Sequence, residues 1–440
     1  MAEGNRSADQ RDAGTAAVYE APAFGASSGP GTSASRRPLL IPHLEDLTTQ
    51  LPSSSDVVII GGGLAGCAIA YYLAKSGVEV ALVERGELNR EASGTNAGSF
   101  HFQIALHQLS DSNDEVDRQR LLADVRLSAQ AAELWYKIES ELGTDLGVHV
   151  TGGLMVAETA AEFQTLTDKR LIEKDAGLET EVLSRAELRN FAPYLSEHLA
   201  GATYCAREGH ANPLLAAPAF AARAIEAGAK IRIYAPVQAV EPLVDSGATR
   251  FRVHTGAGTI DAHRVVNAGG VWADAIAQLS GLRLPLRADA LHVNVSEPRE
   301  RILTPMIQHI GRRLTLKQTA NGSFIIGGGW PSRSESVPKR YSIRWQSAAG
   351  NAAVAVCVMP LLKDVRITHM WAGAMAFTDD FNSLVGEFRS LPGYFVCVVS
   401  TGFTLGPMMA QMLADHLVAS GSTTLPADYA PDRVISLPTT

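Results

Sequence analysis

Residues 57–60, Val-Val-Ile-Ile, form an unbroken apolar run that stops at Gly61-Gly62-Gly63. A run that is apolar at every position predicts a strand covered on both faces, as in a parallel sheet. Residues 64–75 follow as an Ala-rich helix, apolar on more than one side and stopped by Gly77. Residues 78–84 read as a second strand, completing a βαβ unit with short connections.

The longest helical pattern is residues 115–142, where Leu121, Leu122, Val125, Ala129, Ala132, Trp135 and Tyr136 recur at helical spacing. A strand over 152–157 follows. Two helices, 159–176 and 184–191, are polar enough to be expected on the outside. Further on come a helix at 214–227, a strand at 230–234, and a hairpin of 251–255 with 259–262. Residues 264–270 form another apolar strand that runs into glycines. Residues 285–370 read as antiparallel strands at 289–295, 313–319, 322–327 and 365–374. A strand at 394–399 and a helix at 407–420 close the pattern.

The predicted architecture is interleaved: α/β plus α+β. A Rossmann-like nucleotide-binding domain takes 51–105, 201–275 and 371–425. A second, antiparallel-sheet domain takes 106–200 and 276–370. Residues 1–50 are rich in Ala, Gly, Ser and Pro and bury too little apolar surface to offset the entropy of ordering. They are expected to be a disordered extension, with a segment near 38–47 able to dock. Residues 426–440 read as a C-terminal tail.

Composition narrows the function. The 440 residues carry a net charge of -8, so no basic footprint points to nucleic acid. No run approaches the about 20 apolar residues of a membrane span, and no signal pattern opens the chain. The four cysteines, at 67, 205, 357 and 397, make no close ligand cluster. A cytoplasmic, reduced protein with buried thiols and no metal site is the expectation.

Gly61, Gly63 and Gly66 spell G-x-G-x-x-G between the first strand and the first helix. The first glycine permits the tight turn, the second the approach of a pyrophosphate, and the third close packing of helix on strand. The helix start offers N–H groups to the anion. Glu84 ends the second strand about 20 residues on, where a carboxylate takes a ribose hydroxyl and repels a 2′-phosphate. The motif alone does not separate FAD from NAD.

Later segments make that choice by resemblance. Ala92-Ser93-Gly94-Thr95-Asn96-Ala97-Gly98-Ser99, Asn267-Ala268-Gly269-Gly270-Val271-Trp272-Ala273-Asp274, Gly386 after Asp379-Asp380-Phe381-Asn382, and Ser400-Thr401-Gly402-Phe403-Thr404-Leu405-Gly406-Pro407 resemble, in order, the flavin-contacting segments of the D-amino-acid oxidase and sarcosine oxidase superfamily. Asn96 to Gln103 and Glu208-Gly209-His210-Ala211-Asn212-Pro213 are similar to the B subunits of opine (octopine and nopaline) oxidases.

The resemblance implies FAD held by Gly61, Gly63, Gly66, Glu84 and Arg85 at its ADP half. It places Ser93, Asn96, Ala97, Gly98 and Ser99 near the ribityl chain and ring, and Val237 near the adenine. Gly269, Trp272, Gly402, Phe403 and Thr404 complete the site. The resemblance makes the antiparallel-sheet domain the substrate domain. It implies oxidation of a C–N bond in a secondary amine or amino acid by hydride transfer, then imine hydrolysis. The chain would be the catalytic subunit of a hetero-oligomeric dehydrogenase, with FMN at a subunit contact and an iron–sulfur cluster in a partner. The alternative is a stand-alone, oxygen-using oxidase of glycine, sarcosine or D-amino acids.

His101 and His210 are the candidate catalytic groups, each with a structural histidine as the competing reading. Lys317 and Gln318 fall on a sheet strand, with an ordinary solvent face the favoured account of Lys317. Trp371 reads as core. Arg287, Arg312 and Arg313 are candidates for a substrate carboxylate, and nothing in the sequence chooses among them.

Overall fold

The computed structural model describes residues 41–105, 108–109, 115–245, 248–334, 341–419 and 422–434. All belong to one unit, Arg37–Thr440. Two eight-stranded sheets organise it. In the first, the strands run Leu384–Glu387, Tyr394–Val398, Gly258–Asn267, Ser54–Ile60, Val80–Val83 and Lys230–Arg232. Every pairing along this row is parallel except that of Leu384–Glu387 with Tyr394–Val398. Val57 and Ile59 face one core with the helices Leu64–Lys75, Pro213–Glu226 and Gly402–Val418. Val58 and Ile60 face the other, with Val240, Phe251 and Ala273. That two-sided burial is what the continuous apolar run requires.

The predicted hairpin strand at 259–262 and the strand at 264–270 are one strand, Gly258–Asn267. It pairs antiparallel with Ala248–Thr255 at its start and parallel with Ser54–Ile60 and Tyr394–Val398 further on. His263 and Arg264 break the apolar pattern without breaking the strand.

The second sheet runs Ile367–Phe377, Arg287–Pro298, Ser323–Gly327, Thr315–Gln318, Met306–His309, Gly153–Ala157, Gly201–Cys205 and Glu181–Ser184. It is antiparallel except where Met306–His309 lies parallel to Gly153–Ala157. Gly201–Cys205 and the end of Ile367–Phe377 belong to this sheet, so both predicted boundaries, at 201 and at 371, move several residues along the chain. Within 285–370, Trp345–Val358 is a helix. Its alanines favour that state, but Val354, Val356 and Val358 give it no clear helical stripe.

Glu115–Leu142 is helical over its predicted length. The helix Ala160–Asp175, expected outside, buries Lys169 and Glu173 at 1% and 0% exposure. Their charges pair with each other at 2.5 Å, so polarity in the sequence conceals burial. The closing helix starts at Gly402 rather than Pro407, which lies inside it. Proline forfeits one backbone bond there, while Phe403, Met409 and Leu413 pack the helix into the core.

Much of the predicted N-terminal extension lies outside the described residues. Its end, Leu44–Leu47, is a helical turn with Leu47 buried and its carbonyl accepting the Ile233 N–H. Cys67, Cys205 and Cys397 are buried; Cys357 is exposed, contrary to expectation. Among the described residues no helix is long and apolar enough to cross a membrane.

A Cβ on Gly66 would overlap the Gly61 carbonyl oxygen. Gly66→Ala is therefore expected to force the helix from the strand and lower stability by about 1–3 kcal/mol. Denaturant unfolding reads this as a lower midpoint, and flavin content should fall with it.

Candidate active site

The glycine turn is built as its spacing demands. Gly61 has φ +119, and Gly63 is the N-cap of Leu64–Lys75, with no side chain to satisfy the helix start. Ser93 reaches across, its hydroxyl accepting the Leu64 N–H at 2.9 Å. The half-buried Glu84 carboxylate accepts the N–H groups of Gly62 at 2.7 Å and Gly86 at 2.8 Å. It is thereby held beside the turn with lone pairs left for a ribose. The Arg85 guanidinium stacks on the Trp272 ring at 3.7 Å and pairs with Glu91 at 2.7 Å, so two predicted residues meet. Val237 begins the strand Val237–Asp245 next to Ala235, whose N–H bonds the Glu84 carbonyl.

The next segment runs from the nucleotide sheet onto the second sheet. The Asn96 side chain accepts the Gly98 N–H at 2.7 Å and donates to the carbonyls of Ala92 and Ser93. Asn96 thus fixes the loop around Ala97. Gly98 has φ +72, and a Cβ there would overlap the Ala211 carbonyl oxygen. Ser99 pairs with His210 in a two-stranded ladder, which brings together the two segments that resemble the opine oxidase branch. Gly269 packs where a Cβ would strike Ile276.

At the other wall, Gly402–Val418 begins without a side-chain cap, and Ser400 and Thr401 line the cavity in front of it. The N–H groups and dipole of a helix start suit negative charge. Phe403 stacks in a buried cluster with Phe100 and Trp135, so it packs the core. The Thr404 hydroxyl meets the His101 N–H at 3.4 Å, and its carbonyl accepts the Trp135 indole N–H at 2.9 Å.

Between these walls and the second sheet lies a cavity of about 800 Å³. His101 lines it; His210 does not, and its ring lies tilted against His149 at 5.2 Å. Burial, with Lys317 nearby, pulls His101 down to about 4, so it is neutral near pH 7. Its Nδ1 is buried with no hydrogen-bond partner among the described residues. Arg312 and Arg313 both line the cavity and Arg287 does not. Arg312 is held by Glu158 at 2.5 Å. Arg313 donates to the Gly329 carbonyl at 3.2 Å and has no carboxylate partner among the described residues. His309 fixes their loop, its Nδ1 accepting the N–H groups of Gly311 and Arg312 at 3.0 Å each. Those bonds assign the ring proton to Nε2.

Lys317 corrects a sequence expectation. It is 4% exposed rather than on a solvent face, on the strand Thr315–Gln318 and two residues from cavity-lining Thr315. Its Nζ lies 3.2 Å from where a Cβ on Gly98 would stand. Gln318 is buried and bonds backbone groups at 302, 303 and 322. Trp371 is half-buried and donates to the Thr95 carbonyl at 2.6 Å, tying the second sheet to the flavin loop instead of filling a core. Sequence reasoning missed Glu208. Its carboxylate accepts the N–H groups of Phe102 and Gln103 at 2.8 and 3.0 Å, and its place inside a quoted motif was the available signal.

These residues fit FAD. The Gly61–Gly66 turn and Glu84 form a nucleotide cradle, while Gly98, the Gly402 helix start, His101 and Lys317 converge further on. Comparison with known proteins agrees. A family model described as FAD dependent oxidoreductase matches residues 56–416. Human mitochondrial sarcosine dehydrogenase is 30% identical over 383 residues, which cover 84% of this chain and 40% of that protein. The chain thus spans about two fifths of that relative's length. The opine oxidase B subunit of Rhizobium meliloti is 26% identical, covering 83% of this chain and 94% of its own, so the likeness does not single out the opine branch. The crystal structure of L-proline dehydrogenase from P. horikoshii superimposes with a TM-score of 0.76 at 28% identity, covering 87% of this chain and 98% of that one. With most of its length matched by the family model, the chain belongs to the FAD dependent oxidoreductase family.

Proposed function

We propose that this chain oxidises the C–N bond of a small secondary amino acid, of the size of sarcosine or proline. The observation that carries this reading is Arg313, a guanidinium on the cavity wall with no carboxylate partner among the described residues. FAD, when bound, supplies a two-electron hydride acceptor. Arg313 takes the substrate carboxylate, and His309 holds the loop that aims it. Neutral His101 accepts a hydrogen bond from the substrate N–H through Nδ1, which favours the free amine over the ammonium. Met155, Leu291, Met375, Phe377 and Leu405 line the cavity and exclude water from the donor carbon. The imine product then takes up water and splits into an amine and a carbonyl compound.

The names of the relatives support the amine class: sarcosine and proline are both secondary amino acids. A second reading makes the chain one subunit of an opine oxidase, with FMN at a contact and an iron–sulfur cluster in a partner. It rests on the similar length of the opine oxidase B subunit. Released-cofactor analysis separates the two, since FAD alone supports the first and FAD with FMN the second.

Anaerobic mixing with sarcosine or proline is expected to bleach the bound flavin. A flavin that no secondary amino acid reduces overturns the proposal. Arg313→Leu should weaken substrate binding roughly 10- to 150-fold, the worth of about 1.5–3 kcal/mol for charged hydrogen bonds. Stopped-flow titration reads this as a raised Kd with a smaller change in the limiting reduction rate.

Lys317 gives a test by pH. Burial pulls its ammonium from the ordinary 10.5 down to about 7. Between those values the unfolded chain holds a proton that the folded one has released, so stability rises with pH across that window. The buried charge exacts its full penalty below pH 7. Denaturation of flavin-free protein at pH 7 and pH 9 is expected to show a gain about 1–3 kcal/mol larger for the wild type than for Lys317→Met. Equal gains would mean that a counter-ion satisfies the ammonium.

A further inference from the structure

The cavity has a wall that the family match does not reach. That match ends at 416, yet the turns Ala427–Tyr429 and Pro431–Arg433 fold back over the site. Tyr429 lines the cavity at 5% exposure, and its hydroxyl donates to Asp124 Oδ1 at 2.5 Å. Arg433 clamps both oxygens of Asp380 at 2.9 and 3.1 Å and also donates to the Asn382 carbonyl at 3.2 Å. Asp428 lies 4.0 Å from Arg120, and Asp432 3.5 Å from Arg389. Arg120, Asp124, Asp380 and Asn382 line the same cavity.

We propose that this C-terminal strap sets substrate specificity, with Tyr429 limiting the size of the substrate's N-substituent and Asp124 excluding an anionic one. The inference rests on the cavity being the amino-acid site of the proposed function. Three features carry it. The ring of Tyr429 stands on the cavity wall, buried at 5% exposure, and so bounds the space on that side. Arg433 and Arg120, the guanidinium groups of this wall, already face Asp380 and Asp428, whereas Arg313 stands on the loop that follows Met306–His309. The Asp124 carboxyl offers an acceptor that meets either a Tyr hydroxyl or a neutral group, and a second carboxylate there would meet like charge or an unmatched dipole. Burial pushes the Asp124 carboxyl above its usual range, and the Tyr429 hydroxyl and the Arg120 guanidinium oppose that shift. N-alkyl amino acids are accepted, and N-carboxyalkyl amino acids are rejected.

The test compares holoenzymes of wild type, Tyr429→Ala, Tyr429→Phe and Asp124→Asn. Flavin reduction is measured with sarcosine, N-propylglycine, N-benzylglycine and N-(carboxymethyl)glycine. Tyr429→Ala is expected to raise kcat/KM for N-benzylglycine relative to sarcosine at least tenfold. Tyr429→Phe, which keeps the ring, should shift that ratio much less. Asp124→Asn should improve N-(carboxymethyl)glycine relative to sarcosine. Equal loss on all substrates, or a ratio unchanged by Tyr429→Ala, overturns the inference while leaving the proposed function standing.

If wild type reduces with no amine, the proposed function fails by itself. Binding of acetate and benzoate, read from the flavin spectrum, then decides the inference: Tyr429→Ala must favour benzoate at least tenfold over wild type, and an unmoved ratio overturns it. Tyr429→Leu, which keeps apolar contact, replaces Tyr429→Ala if thermal melting shows that the latter does not fold.

Discussion

Two buried carboxylates hold the segment on which the site is assembled. Glu208 accepts the backbone N–H groups of Phe102 and Gln103, and Glu173 accepts that of Ile104 at 2.9 Å. Three successive N–H groups of this segment are thus bound to buried carboxyl groups that lie far along the chain. Glu173 also receives Lys169 at 2.5 Å and Thr180 at 2.7 Å. Gln103 completes the cluster, donating to Glu208 and accepting from Lys169 and Thr203. Such a cluster contributes little by its mere presence. Removing one member leaves an uncompensated buried charge, which costs about 3–5 kcal/mol. Its consequence is geometric, because the flavin loop and the second sheet cannot shift independently.

The rest of the site follows from that tie. Ser99 and Phe100 pair with Gly209 and His210, so the loop enters the cavity at one height. Phe100, Trp135 and Phe403 then stack, setting the Gly402 helix start against the loop. His101 is left lining the enclosed space, and Lys317 is buried behind it against Gly98 with no anion among the described residues beside its amine. A neutral histidine, a guanidinium with no carboxylate partner among the described residues and a helix start are the features expected where a carboxylate-bearing amine meets an electron-accepting ring.

The sequence showed the nucleotide half well, because glycine spacing and continuous apolar strands leave few alternatives. The matched segments Ala92–Ser99 and Ser400–Pro407 were legible through local resemblance, and the fold brings both to the one cavity region through Ser99, His101 and Thr404. The sequence showed much less of the substrate half. Lys317, Lys169 and Glu173 read as solvent-facing because their burial depends on segments far away in the chain: Gln103 meets Lys169, and the backbone at Gly98 covers Lys317. Asn96 and Phe403 lie inside matched segments, but the one braces its own loop and the other packs the core. Residues 427–433 read as a tail, since their ion pairs to Arg120, Asp380 and Arg389 leave no periodic trace. Among three candidate arginines only the fold separates Arg313, by giving Arg312 to Glu158 and Arg287 to Asp289.

The central claim is that the cofactor is held by two independent supports, the glycine turn with Glu84 and a flavin loop braced by buried carboxylates. Calorimetric titration of FAD and of ADP into flavin-free Glu208→Gln tests it directly. The amide puts an N–H₂ where donors already converge, so FAD affinity should fall at least tenfold relative to wild type while ADP affinity changes less than twofold. Equal losses for both ligands, or no loss for FAD, would contradict the account.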